Sequence, residues 1–298
     1  MRVEERPGIG GRRRISWFPY LSLFLAVLWV VAFTLYPLLS ALWYSLNTYV
    51  LGRGIVGFVG LGNYREVLAS QEFWHSLGVS LLYALLAAPL ETALGFGLAW
   101  LVHLRPPGYR AFQAIFLAPL FAMDVAVGYL GVTLFSQQGG LLDHILRRLG
   151  LEISWLSSTW GGLAGGLILD IWLWTSFCFL VSLAGLSTLN EEMYEAALLE
   201  TKSSWTVAFR IALPVIWPVL SLAFLIRFLE ALKTFGLVYA LTSGGPGTST
   251  LLLSPLVYLT TVRFFNFGHG SAMGFLFLVL ASVFIALFFR QLRRVVEA

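Results

Sequence analysis

Residues 191–218 read EEMYEAALLETKSSWTVAFRIALPVIWP. Apolar side chains recur at Tyr194, Ala197/Leu198, Trp205, Ala208/Phe209 and Ala212, a helical stripe, with Glu191, Glu195, Lys202 and Arg210 lying off it. Four glutamates, a lysine and an arginine make this stretch too polar to cross a bilayer. Its apolar face is too continuous for it to hang free in water. Ala196 and Ala197 keep one part slim, so that another surface can approach the backbone closely. Leu213–Pro214 is expected to open a new helix, because proline suits a helix's first turn. The residues predict a helical elbow that lies on a membrane surface and feeds into a span. A plain interfacial helix satisfies the same pattern.

The chain around the elbow is strongly apolar. Of its 298 residues 58% are hydrophobic and 11% are charged, where a soluble domain is about 25% charged. A membrane span needs roughly 20 apolar residues, and six stretches qualify: 18–46, 77–102, 111–135, 161–186, 212–241 and 271–289. The first is too long for the apolar core of a signal peptide, and no small-residue cleavage site follows it. Arg12–Arg13–Arg14 before it fits either a cytoplasmic anchor or a twin-arginine export signal. One cysteine, Cys178, excludes an internal disulfide and a thiolate cluster, and is read as a small packing residue.

Six spans put both ends on one side of the membrane. That side carries 12 of the 19 basic residues: five in the N-terminal tail, three in the C-terminal tail, and Arg105, Arg110, Lys202 and Arg210 between spans. The positive-inside rule makes it the cytoplasm, and the elbow is cytoplasmic with it. The net charge of +4 is explained by an anionic inner leaflet and implies no nucleic acid.

There is no linker, composition break or internal repeat. On the opposite side, 47–76 is read as a short surface helix, and GLLDHILRRLG at 140–150 as another. HLRPPGYR at 103–110 is read as a tight loop, because paired prolines cannot continue a helix. Charges within spans are functional suspects by default. They are Glu91, Asp124, Asp170, Arg227, Glu230 and Lys233. Arg227, Glu230 and Lys233 follow one another at three-residue steps on span 5, and fit either a structural ion-pair ladder or a substrate path. Asp170, followed closely by Trp172 and Trp174, fits an aromatic platform for a sugar face. The four histidines have no ligand spacing, so no metal site is expected. Ser271 beside His269 lacks the geometry of an activated serine, which leaves intramembrane proteolysis a remote alternative. A secondary transporter is the other class, although those usually carry internal repeats.

The elbow also carries a resemblance. Glu195-Ala196-Ala197, then Ile211, Leu213 and Pro214, stand at the spacing of the signature of permease subunits in binding-protein-dependent ABC importers. Thr201 occupies the signature's usual glycine position, a departure. FVGLGNYREVL (58–68), YALTSGGPGTST (239–250) and FNFGHGSAMGF (265–275) resemble segments of the carbohydrate branch, the maltose and glycerol-phosphate type of sugar permease. The resemblance implies an all-α integral membrane fold of the type I importer kind: six transmembrane helices at 18–290, a coupling helix at about 191–210, and cytoplasmic tails at 1–17 and 291–298. It implies that Glu195, Ala196, Ala197, Thr201, Leu213 and Pro214 couple to an ATPase. Thr234 and Tyr239, uncharged and close to the LTSGGP segment, then join Arg227, Glu230, Lys233 and Asp170 as substrate-path candidates. No Walker A sequence is present, so ATP and magnesium are expected in separate ATPase subunits. The implied partners are two ATPases, a second homologous permease, an extracytoplasmic solute-binding protein and membrane lipid. The implied location is a bacterial or archaeal plasma membrane, with sugar or polyol as cargo.

Overall fold

The computed structural model describes residues 17–190, 201 and 203–296. The chain begins with α1 (Phe18–Val30) and α2 (Tyr36–Ser45), joined by a π turn at Val31–Leu35. Pro37 has no N–H to give the turn before it, and the wider π turn absorbs that break without ending the helix. The candidate span Tyr20–Ser45 is mostly exposed; α2 alone packs, against the last helix.

An antiparallel hairpin follows, β1 (Asn47–Val50) pairing with β2 (Gly54–Phe58), Asn47 opposite Phe58. Here the surface helix expected over 47–76 is corrected. Gly52 and Gly54 take φ of +83° and +73°, which only glycine adopts cheaply, and they reverse the chain. The helix is confined to α3 (Gly62–Ala69). Asn63 of α3 ties the hairpin down, donating to the carbonyls of Ser45 and Asn47 at 2.8 and 3.0 Å.

Ser70 has extended backbone and caps α4 (Gln71–His103), accepting from the Phe73 N–H at 3.4 Å. After the 103–110 loop comes α5 (Tyr109–Leu117), a 3₁₀ turn at Ala118–Phe121 containing Pro119, and α6 (Asp124–Phe135). These two helices are bent by 98°. The continuous third span expected at 111–135 is therefore a broken one. The expected surface helix near 140–150 is present as α7 (Leu141–Arg148).

The next span is α8 (Thr159–Leu186), capped by Ser158. It lies close along α4. A Cβ placed on Gly95 of α4 would stand 2.5 Å from the Cys178 Cβ and 2.7 Å from its carbonyl carbon, so only glycine fits at that crossing. Cys178 is fully buried there, in the packing role expected of it.

Residues 191–200 lie outside the described residues, and with them Glu195, Ala196 and Ala197. Thr201 is helical and is not among the residues of left-handed backbone, so its position imposes no requirement for glycine. Ser203 caps α9 (Ser204–Val207), which runs through a π turn at Ala208–Ala212 into α10 (Leu213–Leu232). Leu213–Pro214 does not start a separate helix as expected. The π turn, closed by the Leu213 N–H on the Ala208 carbonyl, lets the helix pass the proline.

The fifth span reaches Thr242, in keeping with the expected end at 241, but it is interrupted on the way: α10 ends at Leu232, and a second helix, α11 (Gly236–Thr242), begins after Phe235. The YALTSGGPGTST turn is held by hydroxyls: Thr250 Oγ1 lies 2.9 Å from Thr242 Oγ1 and 2.8 Å from the Gly245 carbonyl, two acceptors within reach of its one proton. Two last helices follow, α12 (Leu253–Tyr258) and α13 (Phe267–Val296), the latter extending past the expected end at 289.

Among the described residues, five helices are long and apolar enough to cross a membrane, and six cross if the bent pair is counted as one span. Three apolar clusters stack along them. One joins α3, the start of α4, α12 and α13; one fills the middle between α4, α6, α8, α10 and α11; one joins the far ends of α4 and α8 to α9 and α10.

Candidate substrate path and coupling elbow

Three spans converge on one buried cation. Arg227 of α10 donates Nε to Glu91 Oε2 at 2.5 Å and Nη2 to Glu91 Oε1 at 2.9 Å, and reaches Asp170 Oδ2 of α8 at 3.4 Å. All three side chains are at most 1% exposed. Two parallel bonds to one carboxylate are the strong geometry for a guanidinium. Pro89, two residues before Glu91, sits inside α4. The guanidinium also lies over the Trp174 ring, 4.4 Å from its centre. One cation thus fixes two spans and an aromatic side chain relative to a third.

The ladder reading of Arg227, Glu230 and Lys233 is corrected by this arrangement. Three-residue steps rotate about 60° backward each time on a helix of 3.6 residues per turn, so the three side chains fan apart. Arg227 turns into the bundle. Glu230 and Lys233 pair with each other at 2.8 Å on the outside, 40% and 56% exposed. Asp170 belongs to the buried cluster rather than to a platform of two tryptophans. Trp172 faces outward, 49% exposed, and only Trp174 points in.

The two helix breaks meet. Gly236, first residue of α11, abuts Val125 and Asp124 at the start of α6, so closely that a Cβ would stand 2.8 Å from the Val125 side chain. Beside this meeting point is a cavity of about 430 Å³ lined by Leu120, Ala122, Met123, Asp124, Val125, Leu173 and Trp174. Asp124 opens α6, where the helix dipole favours a carboxylate, and it is exposed. A broken helix at membrane depth is tolerated where it lines a cavity, and that is its position here.

Thr234 and Tyr239 lie at the second break but not on that cavity. The Thr234 hydroxyl donates to the Glu230 carbonyl at 3.2 Å, closing the end of α10. Tyr239 stacks on Phe235 with ring centres 5.4 Å apart and meets Tyr258 edge-on at 6.2 Å. Glu91, Asp124 and Trp174 were visible in the sequence as charges or an aromatic within apolar runs. Nothing in their spacing marked Glu91 as the partner of Arg227, or Trp174 as the ring that faces the cavity.

Residues 91–298 match the model of the family described as binding-protein-dependent transport system inner membrane component. The chain belongs to this family. It is a membrane-spanning ABC transport permease. The trehalose/maltose transport system permease protein MalF of Thermococcus litoralis is 32% identical over 275 residues, which are 91% of this chain and 92% of that protein. The trehalose transport system permease protein SugA of Mycobacterium tuberculosis is 31% identical over 268 residues, 88% of this chain and 86% of that protein. The fold matches a crystal structure of a bacterial alginate ABC transporter in complex with alginate pentasaccharide-bound periplasmic protein. That match has a TM-score of 0.82 at 22% identity, over 94% of this chain and 95% of the other.

Proposed function

We propose that this permease imports a sugar or polyol, and that the cargo passes where the broken third span meets the broken fifth. The cavity beside Trp174 and Asp124 carries the reading. An indole face stacks on the C–H side of a pyranose ring, and a carboxylate at a helix N-terminus accepts from paired hydroxyls. Arg227 holds the ring in place from inside the bundle. Relatives named for trehalose and maltose support a carbohydrate cargo.

In this reading an extracytoplasmic binding protein hands over the sugar, and two ATPases drive the cycle from the side of the 191–212 elbow. Helix-in-groove docking suits a slim, amphipathic elbow. The continuity of α9 with α10 through Ala208–Ala212 supports transmission, since a push on the elbow moves span 5 directly. The exposed first span supports assembly with a second permease. The basic residues support cytoplasmic termini.

A thermal-shift screen of the associated binding protein identifies the sugar. Uptake of that sugar is then measured in proteoliposomes holding the whole complex. Trp174→Ala and Asp124→Asn are each expected to raise the transport KM about tenfold, the worth of one charge-assisted hydrogen bond or good stacking contact. Unchanged KM in both variants removes this cavity from the path.

A further inference from the structure

The cavity at the helix breaks carries charge of one sign. Of the seven side chains that line it, Asp124 alone is charged, and apart from the Trp174 indole the rest are apolar. Asp124 is the first residue of α6. A helix N-terminus ordinarily attracts anions, because its free N–H groups and its dipole favour negative charge. Here the chain's own carboxylate stands in that place.

Among the described residues, no free cation beside the cavity offsets it. Arg227 and Glu230 of α10 act on Asp124 electrostatically. Arg227 gives Nε and Nη2 to Glu91 and Asp170, and the Trp174 ring covers its guanidinium at 4.4 Å. Glu230 takes up Lys233, with Oε1 to Nζ at 2.8 Å. Four carboxylates, Glu91, Asp124, Asp170 and Glu230, thus face two cations, and both cations are already paired.

A carboxylate, phosphate or sulfonate on the cargo would meet Asp124 with nothing to neutralise it. Like charges brought together in such a site weaken binding steeply. An uncharged sugar instead offers hydroxyl donors to both carboxylate oxygens, and bonds to an ionised acceptor are the stronger kind. On the reading that cargo passes through this cavity, we infer that Asp124 is a specificity-determining residue, which admits uncharged sugars and turns away those bearing an acidic group. Discrimination gains as much from repelling the wrong cargo as from holding the right one.

The test uses the whole complex in proteoliposomes with its binding protein and two probes. One is the sugar returned by the thermal-shift screen, and the other is that sugar with one primary alcohol oxidised to a carboxylate. The ratio of acidic to neutral uptake is compared between wild type and Asp124→Asn, so that the preference of the binding protein cancels. The ratio is expected to rise about tenfold in Asp124→Asn, where a charge repulsion is removed. Asp124→Glu, which keeps the charge, is expected to keep the wild-type ratio. Where the binding protein refuses the acidic probe, equilibrium dialysis of both radiolabelled probes against the solubilised complex alone gives the same comparison. A screen that returns an acidic sugar overturns the inference. So does a ratio unchanged in Asp124→Asn while Trp174→Ala still raises the transport KM, a result that leaves the cargo path in place. If neither variant alters uptake of either probe, the path itself is wrong and the inference falls with it.

Discussion

Arg227 and Glu91 stand 136 residues apart and meet as a two-point pair, with Nη2 to Oε1 at 2.9 Å, inside a protein surface that leaves both at most 1% exposed. Asp170 closes the same cluster from a third span at 3.4 Å. The cluster has one guanidinium for two carboxylates, and each member depends on the others for its solvation.

Removing the cation alone is therefore expected to be severe. Arg227→Met leaves Glu91 and Asp170 buried without their partner, and breaking such a group costs roughly 3–5 kcal/mol. The complex should be lost on detergent extraction. The triple variant Arg227→Met, Glu91→Gln, Asp170→Asn removes the charges together and should recover much of the yield, because a neutral replacement leaves no orphaned ion. Yield and melting temperature of solubilised complex decide it. Equal loss in the single and triple variants would show that shape, not charge, holds these spans.

Glu230 lies on the other side of that argument. Its pair with Lys233 is 40% and 56% exposed, and exposed pairs contribute about 0–1 kcal/mol. Glu230→Gln is expected to leave complex yield within error of wild type. A collapse of yield would mean that a partner chain buries this pair.

The spans were legible in the sequence because a bilayer imposes length and apolarity on every helix that crosses it. The family was legible from the spacing of Glu195-Ala196-Ala197 with Leu213-Pro214. The interruptions were less so. Pro119 marks the third span, yet Pro218 sits inside an unbroken α10, so proline alone does not say where a span breaks. The hairpin had a local signal in Gly52-Arg53-Gly54 that the helical reading of 47–76 overrode. Glu91 with Arg227 was not legible, since the contact depends on how α4, α8 and α10 rotate, and that is set by close crossings such as Gly95 on Cys178.

That crossing gives a test of its own. Gly95→Ala would bring a methyl group within 2.7 Å of Cys178 and Phe179 backbone atoms. Overpacking against backbone costs about 1–3 kcal/mol, and the shift would propagate to Glu91 one turn away. Cys178→Ala, which only shrinks the neighbour, should be tolerated. Thermal unfolding of the two variants in the complex separates them; comparable stability of Gly95→Ala and wild type would show that the helices part without cost.

The last prediction concerns the elbow. Thr201 is helical, so Thr201→Gly places a flexible residue in a helix at a cost of roughly 0.5–1 kcal/mol. Assembly should survive it, and coupling should be unchanged. Ala197→Trp is expected to behave differently, because a slim position against an ATPase groove has no room for an indole. Spans should insert normally, and basal ATP hydrolysis by the partner subunits should persist. Stimulation of that hydrolysis by loaded binding protein, and uptake in proteoliposomes, should both fall together. If Ala197→Trp keeps stimulated hydrolysis and uptake at the wild-type rate, the elbow does not seat in the ATPase. The continuous helix from Ser204 into span 5 would then need another source of motion.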